Sequence, residues 1–237
     1  MAWVWDAGSS TVSNTDGTIT SNVRASATSG FSVIQWTGTQ ANGTVGHGLS
    51  SAPKLLLLKD TSNAFNWYVF TTATGTNLIF EGLNTTSAPS SSSIFTTTSS
   101  TISVNNQASL NTNNATMQIL AFADVEGFSK IGSYQGNGSS DGRFVATDFA
   151  PKFLLIRQAD STGGWFMWDT ERNPFNENTA LFSANANNAE QSQGNHAIDF
   201  LSNGFKPRDA NGAFNGSGNT YMYLALAESS LKYARAR

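Results

Sequence analysis

Two similar stretches of apolar and aromatic residues lie 98 residues apart in the chain, at 52–70 and 150–168. In each stretch, Ala-Pro-Lys precedes a continuous apolar run, a polar turn follows, and a run of aromatic residues comes next. A proline at the entrance of a strand is compatible with pairing, and apolar runs this short are typical of central strands. Each stretch therefore predicts two paired β-strands, and their repetition predicts an internal duplication.

Shorter strands are predicted around both stretches, separated by turn signals. In the first copy they are 31–36, 78–80, 101–104 and 116–123, with a hairpin return at 43–49, and the second copy repeats this order up to 220–227. A change in the repeat spacing from 97 to 98 residues between positions 127 and 134 predicts a bulge or insertion. No helix is predicted. We therefore expect an all-β protein of two tandem, internally duplicated antiparallel β-sandwich repeats with an extended N-terminal arm.

This pattern divides the chain into four parts. Residues 1–29 are expected to form an N-terminal strand and an arm, because 7–29 are rich in Gly, Ser, Thr and Asn. Residues 30–126 and 127–228 are the expected sandwich repeats, and 229–237 form a small basic tail. Residues 2–6 resemble the closing strand of each repeat, so we expect them to complete the sheet of a neighbour or to end a longer array.

Composition narrows the classes of function. Charged residues make up 12% of the 237 positions, about half the usual share, and small polar residues replace them, as in many extracellular and virion β-proteins. A formal net charge of -3 gives no basic surface for nucleic acid. The absence of Cys excludes disulfides and thiolate chemistry. No apolar run is long enough to predict membrane insertion, and the first residues lack the pattern of a signal peptide.

Two motifs resemble catalytic ones. Gly138–Gly142 has the pattern Gly-x-Ser-x-Gly, but the nucleophile elbow requires a following helix, and here a strand is predicted, which favours a hairpin turn. Asp169 and Glu171 lie two residues apart, a spacing that puts both carboxylates on one face of a strand, as a glycosidase pair would require. The alternative is that they cap the strand end, with Arg172 as a partner.

Metal and histidine chemistry are not predicted either. Asp141, Asp148 and Asp160 lack the ligand spacing of a calcium loop. His47 lies in a Gly-x-Gly turn and has Val145 as its counterpart in the second copy, which favours a structural role. We therefore expect a protein that is not an enzyme and needs no cofactor.

The aromatic strands suggest an interface. They place large side chains on both faces, so one face needs cover from a second sheet of the chain, from another subunit or from a saccharide. A polar loop at 185–195 is the variable part of the second copy, where recognition is expected. The tail is expected either to dock or to remain a solvated end. The candidate interface residues are Trp3, Val4, Trp5, Trp67, Tyr68, Trp165, Trp168, Lys232, Tyr233 and Arg235.

Several phrases resemble a repeat domain of virion and tail-fibre proteins of marine tailed bacteriophages, which infect cyanobacteria and pelagic bacteria. The resemblance covers the chain except its basic tail, and it is carried by Trp5-Asp6-Ala7-Gly8, Ala52-Pro53-Lys54, Tyr134-Gln135-Gly136-Asn137-Gly138, Arg172-Asn173-Pro174 and Ser202-Asn203-Gly204-Phe205.

The resemblance implies a structural protein of the virion, such as a tail-fibre or appendage component. Its partners would be other copies of itself and neighbouring virion proteins, with no catalytic motif to carry over. Two alternatives stay open: a module that binds host-surface glycan, which the likeness in strand order to H-type lectins suggests, and a capsid decoration protein.

Overall fold

The computed structural model describes residues 4–192 and 195–228. Its strands pair in several antiparallel sheets, which confirms the all-β prediction. Two short helices, α1 (Ala108–Asn111) and α2 (Gly212–Asn215), were missed by the sequence pattern. The chain divides into two compact units: unit 1 comprises Met1–Gly82 and Ser90–Asp124, and unit 2 comprises Leu83–Pro89 and Val125–Arg237.

Unit 1 is built on one large and one small sheet. Its strands are β1 (Val12–Asn14), β2 (Ser21–Ser26), β3 (Phe31–Thr37), β4 (Gly43–Gly46), β5 (Leu55–Asp60), β6 (Tyr68–Thr71), β7 (Leu78–Phe80), β8 (Ser90–Ser91), β9 (Thr101–Val104) and β10 (Thr116–Phe122). The large sheet has the order β1-β2-β3-β10-β5-β6-β7-β8, and β4 pairs with β9 in the small sheet.

Unit 2 also contains two sheets. Its strands are β11 (Ser129–Gln135), β12 (Val145–Ala146), β13 (Phe153–Gln158), β14 (Trp165–Asp169), β15 (Phe182–Ser183), β16 (Ile198–Leu201), β17 (Gly204–Pro207) and β18 (Thr220–Leu226). The larger sheet has the order β11-β18-β13-β14-β15, and the smaller has the order β12-β17-β16.

The core of each unit draws side chains from both of its sheets, which gives a sandwich-like arrangement. In unit 1, Leu56 and Ile119 of the large sheet join one cluster with Ile102 of the small sheet. In unit 2, Ile156 of the larger sheet and Phe205 of the smaller sheet share a cluster in the same way. Side chains alternate between the faces of a strand, so each sheet can direct one set of apolar residues into this core.

The polar segment at 7–29 is not simply a linker or an extended arm. Residues 21–26 form β2, which pairs with β3 from Asn22 to Ser26. Val23 is 1% exposed, and the buried Ser21 hydroxyl donates to the carbonyl of Gly46 at 3.1 Å. The strand was hidden in the sequence because its buried positions include small serines whose hydroxyls find partners inside the unit.

Three other local predictions are corrected by the pairing. Residues 43–46 do not return as a hairpin on β3, because β4 pairs with β9. The register of β11 with β18 is continuous from Ser129 to Gln135, so the predicted bulge is absent there. The segment Gly138–Gly142 is not a hairpin turn, because it connects β11 to β12 in a different sheet. No helix follows this segment, so it lacks the geometry of a nucleophile elbow.

In the small sheets, Val45 pairs with Ile102 in unit 1, and Val145 pairs with Phe205 in unit 2. No helix in residues 4–192 and 195–228 is long and apolar enough to cross a bilayer.

Candidate functional site

Trp165 and Trp168, two of the predicted interface residues, are both 0% exposed. The indole Nε1 of Trp168 donates to the carbonyl of His196 at 3.0 Å, and its ring meets Phe214 edge-on at 5.3 Å. Both indole rings are covered within the chain, whereas Phe166 and Met167 between them keep partial exposure. The interface assignment is therefore wrong for these two tryptophans.

Trp67 and Tyr68 are partly exposed at the start of β6. Tyr68 packs against the core of unit 1, so part of its ring is already used inside the fold. Trp67 lies just before the strand. Their role in an interface stays a prediction.

The N-terminal segment is held against its own unit and does not extend as an arm. The Ser29 hydroxyl donates to the backbone carbonyl of Asp6 at 2.6 Å, and Arg24 Nε donates to the carbonyl of Gly8 at 2.8 Å. Arg24 lies in β2 and Ser29 follows it, so these two donors hold residues 6–8 beside the sheet. Residues 4–6 form no strand in the described chain.

The aromatic and aliphatic residues of this segment have different environments. Trp5 is half-buried, with its ring 6.0 Å from Phe31 and 5.7 Å from Phe122. Val4 is 90% exposed and Val12, in the edge strand β1, is 55% exposed. The predicted residues Trp3, Lys232, Tyr233 and Arg235 lie outside the described residues.

Asp169 closes the end of β14 instead of forming a catalytic pair with Glu171. Its carboxylate accepts hydrogen bonds from the backbone N–H of Arg172 at 2.9 Å and from Arg172 Nε at 2.6 Å. Arg172 also donates to Glu190 at 2.7 Å and lies 4.2 Å above the ring of Phe182. Glu171 is exposed. These contacts correspond to the strand-capping alternative.

His47 is a buried structural residue. Its Nδ1 accepts a hydrogen bond from the backbone N–H of Leu49 at 3.0 Å, and its Nε2 lies 3.2 Å from the carbonyl of Thr98. These two contacts fit the neutral ring with the proton on Nε2. Burial lowers the pKa of His47, which also favours the neutral form.

The loop that follows β14 is fixed by amide side chains. Asn178 is 0% exposed, and its Nδ2 donates to the carbonyls of Asp169 and Asn173 at 2.9 and 2.8 Å. The Asn176 amide forms a two-way pair with the backbone of Phe200, at 2.8 Å in both directions. The loop is therefore held at both of its sides by hydrogen bonds to the backbone, and its shape is set before any ligand arrives.

Beside this loop lies a depression of about 260 Å³. Its lining contains a lysine, amide and hydroxyl groups, and several apolar side chains, but no carboxylate. The lining residues are Ala150, Pro151, Lys152, Thr170, Asn173, Pro174, Asn176, Phe200, Leu201 and Ser202. All of them belong to unit 2.

Phe175 is the most exposed aromatic ring among the described residues, at 77%. It lies in sequence between Pro174 and Asn176, which both line the depression. Sequence reasoning placed recognition at 185–195 and did not select this residue. The signal was available, since an aromatic residue directly after Asn173-Pro174 lies in a turn, where no strand pattern predicts its burial.

A cluster of charges lies on the smaller sheet of unit 2. Arg208 is within 3.4 Å of both Glu177 and Asp199 and 3.3 Å from Asp141, which Lys206 contacts at 2.5 Å. The hydrogen bond from Lys206 lowers the pKa of Asp141, and burial raises the pKa of Asp199. The opposite charges satisfy one another, which is the arrangement of a structural ion-pair network.

Asp148 and Asp160, which lack the spacing of a calcium loop in the sequence, also have partners within the protein. Asp148 pairs with Lys130 at 2.5 Å, and Asp160 accepts hydrogen bonds from Gln158 and from the backbone of Thr220. Within the described part of the chain, no three His, Asp or Glu side chains are grouped as metal ligands.

Comparison with known proteins gives one match. The family described as "Domain of unknown function (DUF7483)" matches residues 1–230. No curated protein and no solved structure matches the chain.

Proposed function

We propose that this chain, which belongs to the DUF7483 family, is a non-enzymatic structural protein of a bacteriophage virion, in a tail fibre or other appendage. It assembles with copies of itself and with neighbouring virion proteins. The virion assignment rests on the resemblance of its repeated phrases to phage fibre proteins. The observation that carries assembly is the edge strand β1, which pairs on one side only and whose Val12 is 55% exposed, together with Val4 of the same unit, which is 90% exposed.

The edge has the properties that strand addition requires. β1 is the terminal strand of the eight-stranded sheet, and it pairs on one side only, with β2. Addition of a strand from another chain would satisfy its outer backbone groups, while Val4 and Val12 would contribute apolar contact. A symmetric pair of such edges would give a closed homo-oligomer.

We also propose that the two units are copies of one ancestral repeat, as expected of a virion protein built from a repeated module. Support comes from two buried amides in the short helices, Asn111 and Asn215, both 0% exposed. Asn111 accepts from the backbone N–H of Thr39 and donates to the carbonyl of Ala41, at 3.1 and 2.9 Å.

Asn215 repeats these contacts with the loop of unit 2. It accepts from the backbone N–H of Asn137 at 3.1 Å and donates to the carbonyl of Ser139 at 2.8 Å. Asn137 and Ser139 lie 98 residues after Thr39 and Ala41, which is the spacing of the duplicated strands. If the two units had separate origins, the same four-atom contact would have had to arise twice, in loops that lie 98 residues apart.

Assembly is tested by the mass of the purified protein in solution. Size-exclusion chromatography with light scattering should give a multimer for the unchanged chain. The double variant Val4→Asp, Val12→Asp should shift it to the monomer, because two carboxylates would have to be buried at the contact. Thr76→Asp adds a charge at the exposed β6–β7 turn of the same unit and serves as the control.

A multimer that resists the double variant would disprove assembly through this edge, and a monomeric unchanged chain would disprove self-assembly. The location is tested separately, by immunogold labelling of particles of a phage that encodes the chain. Label on the tail fibres supports the appendage role. Label on the head would identify a capsid decoration protein, and unlabelled particles would refute the virion assignment.

A further inference from the structure

We propose that the depression of unit 2 binds an acidic pyranose unit of a glycan, with Phe175 as an aromatic platform beside it. This inference goes beyond assembly and does not depend on it. The depression has a volume of about 260 Å³, slightly below the ordinary range for small-molecule pockets. This is room for one sugar ring, with the rest of a glycan lying outside.

The lining has the chemistry that a pyranose needs. Sugar rings present an apolar C–H face and a rim of hydroxyls, so their sites combine aromatic or aliphatic surfaces with amide and hydroxyl groups. Phe200, Pro151 and Leu201 supply apolar surface here. Asn173 accepts a hydrogen bond from the backbone N–H of Phe175 through Oδ1 at 3.3 Å, while its Nδ2 donates to no group among the described residues.

The charge of the lining favours an acidic sugar over a neutral one. Lys152 is the one charged side chain in the lining. Its nearest carboxylate, Glu228, is 3.8 Å away and 72% exposed, so this ion pair is weak. The matching lysine of unit 1, Lys54, is held much more closely, 2.6 Å from Asp124. Lys152 therefore has an ammonium group available for a carboxylate of the ligand.

Phe175 adds the aromatic face. A ring that is 77% exposed loses apolar burial, and a loop held by Asn176 and Asn178 keeps it in place before binding. Preorganisation of this kind reduces the entropy lost on binding. The exposed ring lies between Asn173-Pro174 and Asn176-Glu177. This setting fits a sugar face better than an extended peptide, which needs a continuous apolar groove.

The test uses the full chain in two steps. A glycan array first identifies bound saccharides, and calorimetry then compares sialyllactose with lactose and trigalacturonate with α-1,4-galactotriose, its neutral counterpart. We expect the acidic sugars to bind at least about tenfold more tightly, a difference of about 1.4 kcal/mol. Lys152→Gln should remove this preference, and Lys54→Gln in unit 1 is its matched control.

The aromatic contribution is tested by Phe175→Ala. This variant should weaken binding of every bound sugar by about tenfold, whereas Phe65→Ala, which removes another exposed ring in unit 1, should have no effect. Circular dichroism should show that all four variants remain folded, since each changed side chain is at least one-third exposed.

The proposal is overturned if no saccharide binds, if neutral sugars bind as tightly as acidic ones, or if the Phe175 and Lys152 variants bind like their controls. A change in the oligomeric state of the protein on Phe175→Ala would also overturn it, because the ring of the unchanged protein would then be covered by another chain. Failure of the edge variants of unit 1 to alter assembly would leave these outcomes unaffected.

Discussion

The buried amide of Asn111 offers a direct test of what holds unit 1 together. Replacing it with alanine removes hydrogen bonds to three residues: Trp36 Nε1 donates to its Oδ1 at 3.0 Å, and Thr39 and Ala41 complete its contacts at 2.9 to 3.1 Å. Water can replace the amide at Thr39 and Ala41, because both are exposed. It cannot easily reach Trp36, which is 4% exposed.

The cost of Asn111→Ala follows from this difference. A buried donor left without a partner costs about 1–3 kcal/mol, and a bond that water can replace costs about 0.5–1.5 kcal/mol or less. The sum is about 2–4 kcal/mol, a large part of the stability of an ordinary domain. Asn113→Ala, at an exposed position in the turn two residues later, should cost about 0.5 kcal/mol or less.

Urea unfolding followed by tryptophan fluorescence and circular dichroism measures both variants. The Trp36→Phe change should make Asn111→Ala less damaging, because no indole N–H then remains to be stranded. A coupling of about 1 kcal/mol or more is expected in the double-mutant cycle. The reasoning is refuted if Asn111→Ala costs no more than Asn113→Ala, or if the cycle shows no coupling.

Three further predictions concern other parts of the fold, each measured by urea unfolding. Burial lowers the pKa of His47 in the folded state, so the histidine of the unfolded chain, with a pKa of about 6.5, takes up a proton first as the pH falls. The free energy of unfolding should therefore decrease as the pH drops below that value, and His47→Gln should remove this dependence. Gly38→Ala should destabilise strongly, because the new Cβ would lie 1.9 Å from the carbonyl of Thr112, whereas Gly212→Ala, with no atom within 4 Å, should be neutral or stabilising. Trp168→Ala should cost about 3–5 kcal/mol, as expected for a fully buried large side chain, and a cost below about 1 kcal/mol would contradict its place in the core.

The strands with continuous apolar or alternating sequences could be predicted, because burial alone specifies them. β5 and β13 are examples: their side chains are buried on both faces for most of their length, and each strand begins with four apolar residues. β2 could not be predicted in this way, because Ser21 and Ser26 are buried through hydroxyl hydrogen bonds that composition does not reveal.

Pairing between distant segments was also beyond the sequence pattern. Position 43–46 and its neighbours looked like a hairpin, but the partner of β4 is β9, which follows much later in the chain. Local turn signals cannot distinguish a nearby partner from a distant one. The short helix α1 was missed for a similar reason, since four residues give no helical period.

The candidate site was predicted least well. Trp165 and Trp168 were predicted at an interface because the aromatic strand places large side chains on both of its faces, but this pattern does not show whether the chain itself covers them. Phe175 was overlooked because it lies in a loop, where neither period nor strand pattern applies. The conformation of this loop is set by hydrogen bonds from Asn176 and Asn178 to the backbone carbonyls of Phe200 and Asp169. Contacts of this kind are not visible in the sequence.

The contacts of Asn111 and Asn215 have a consequence for how such a chain can change over time. In both units the amide recognises peptide groups of the loop, at 39 and 41 or at 137 and 139. Peptide groups are the same whichever side chains they carry. Substitutions in these loops are thus tolerated as long as the one amide is kept. Each unit can therefore change the side chains on its surface without changing the conformation of the turn that carries them.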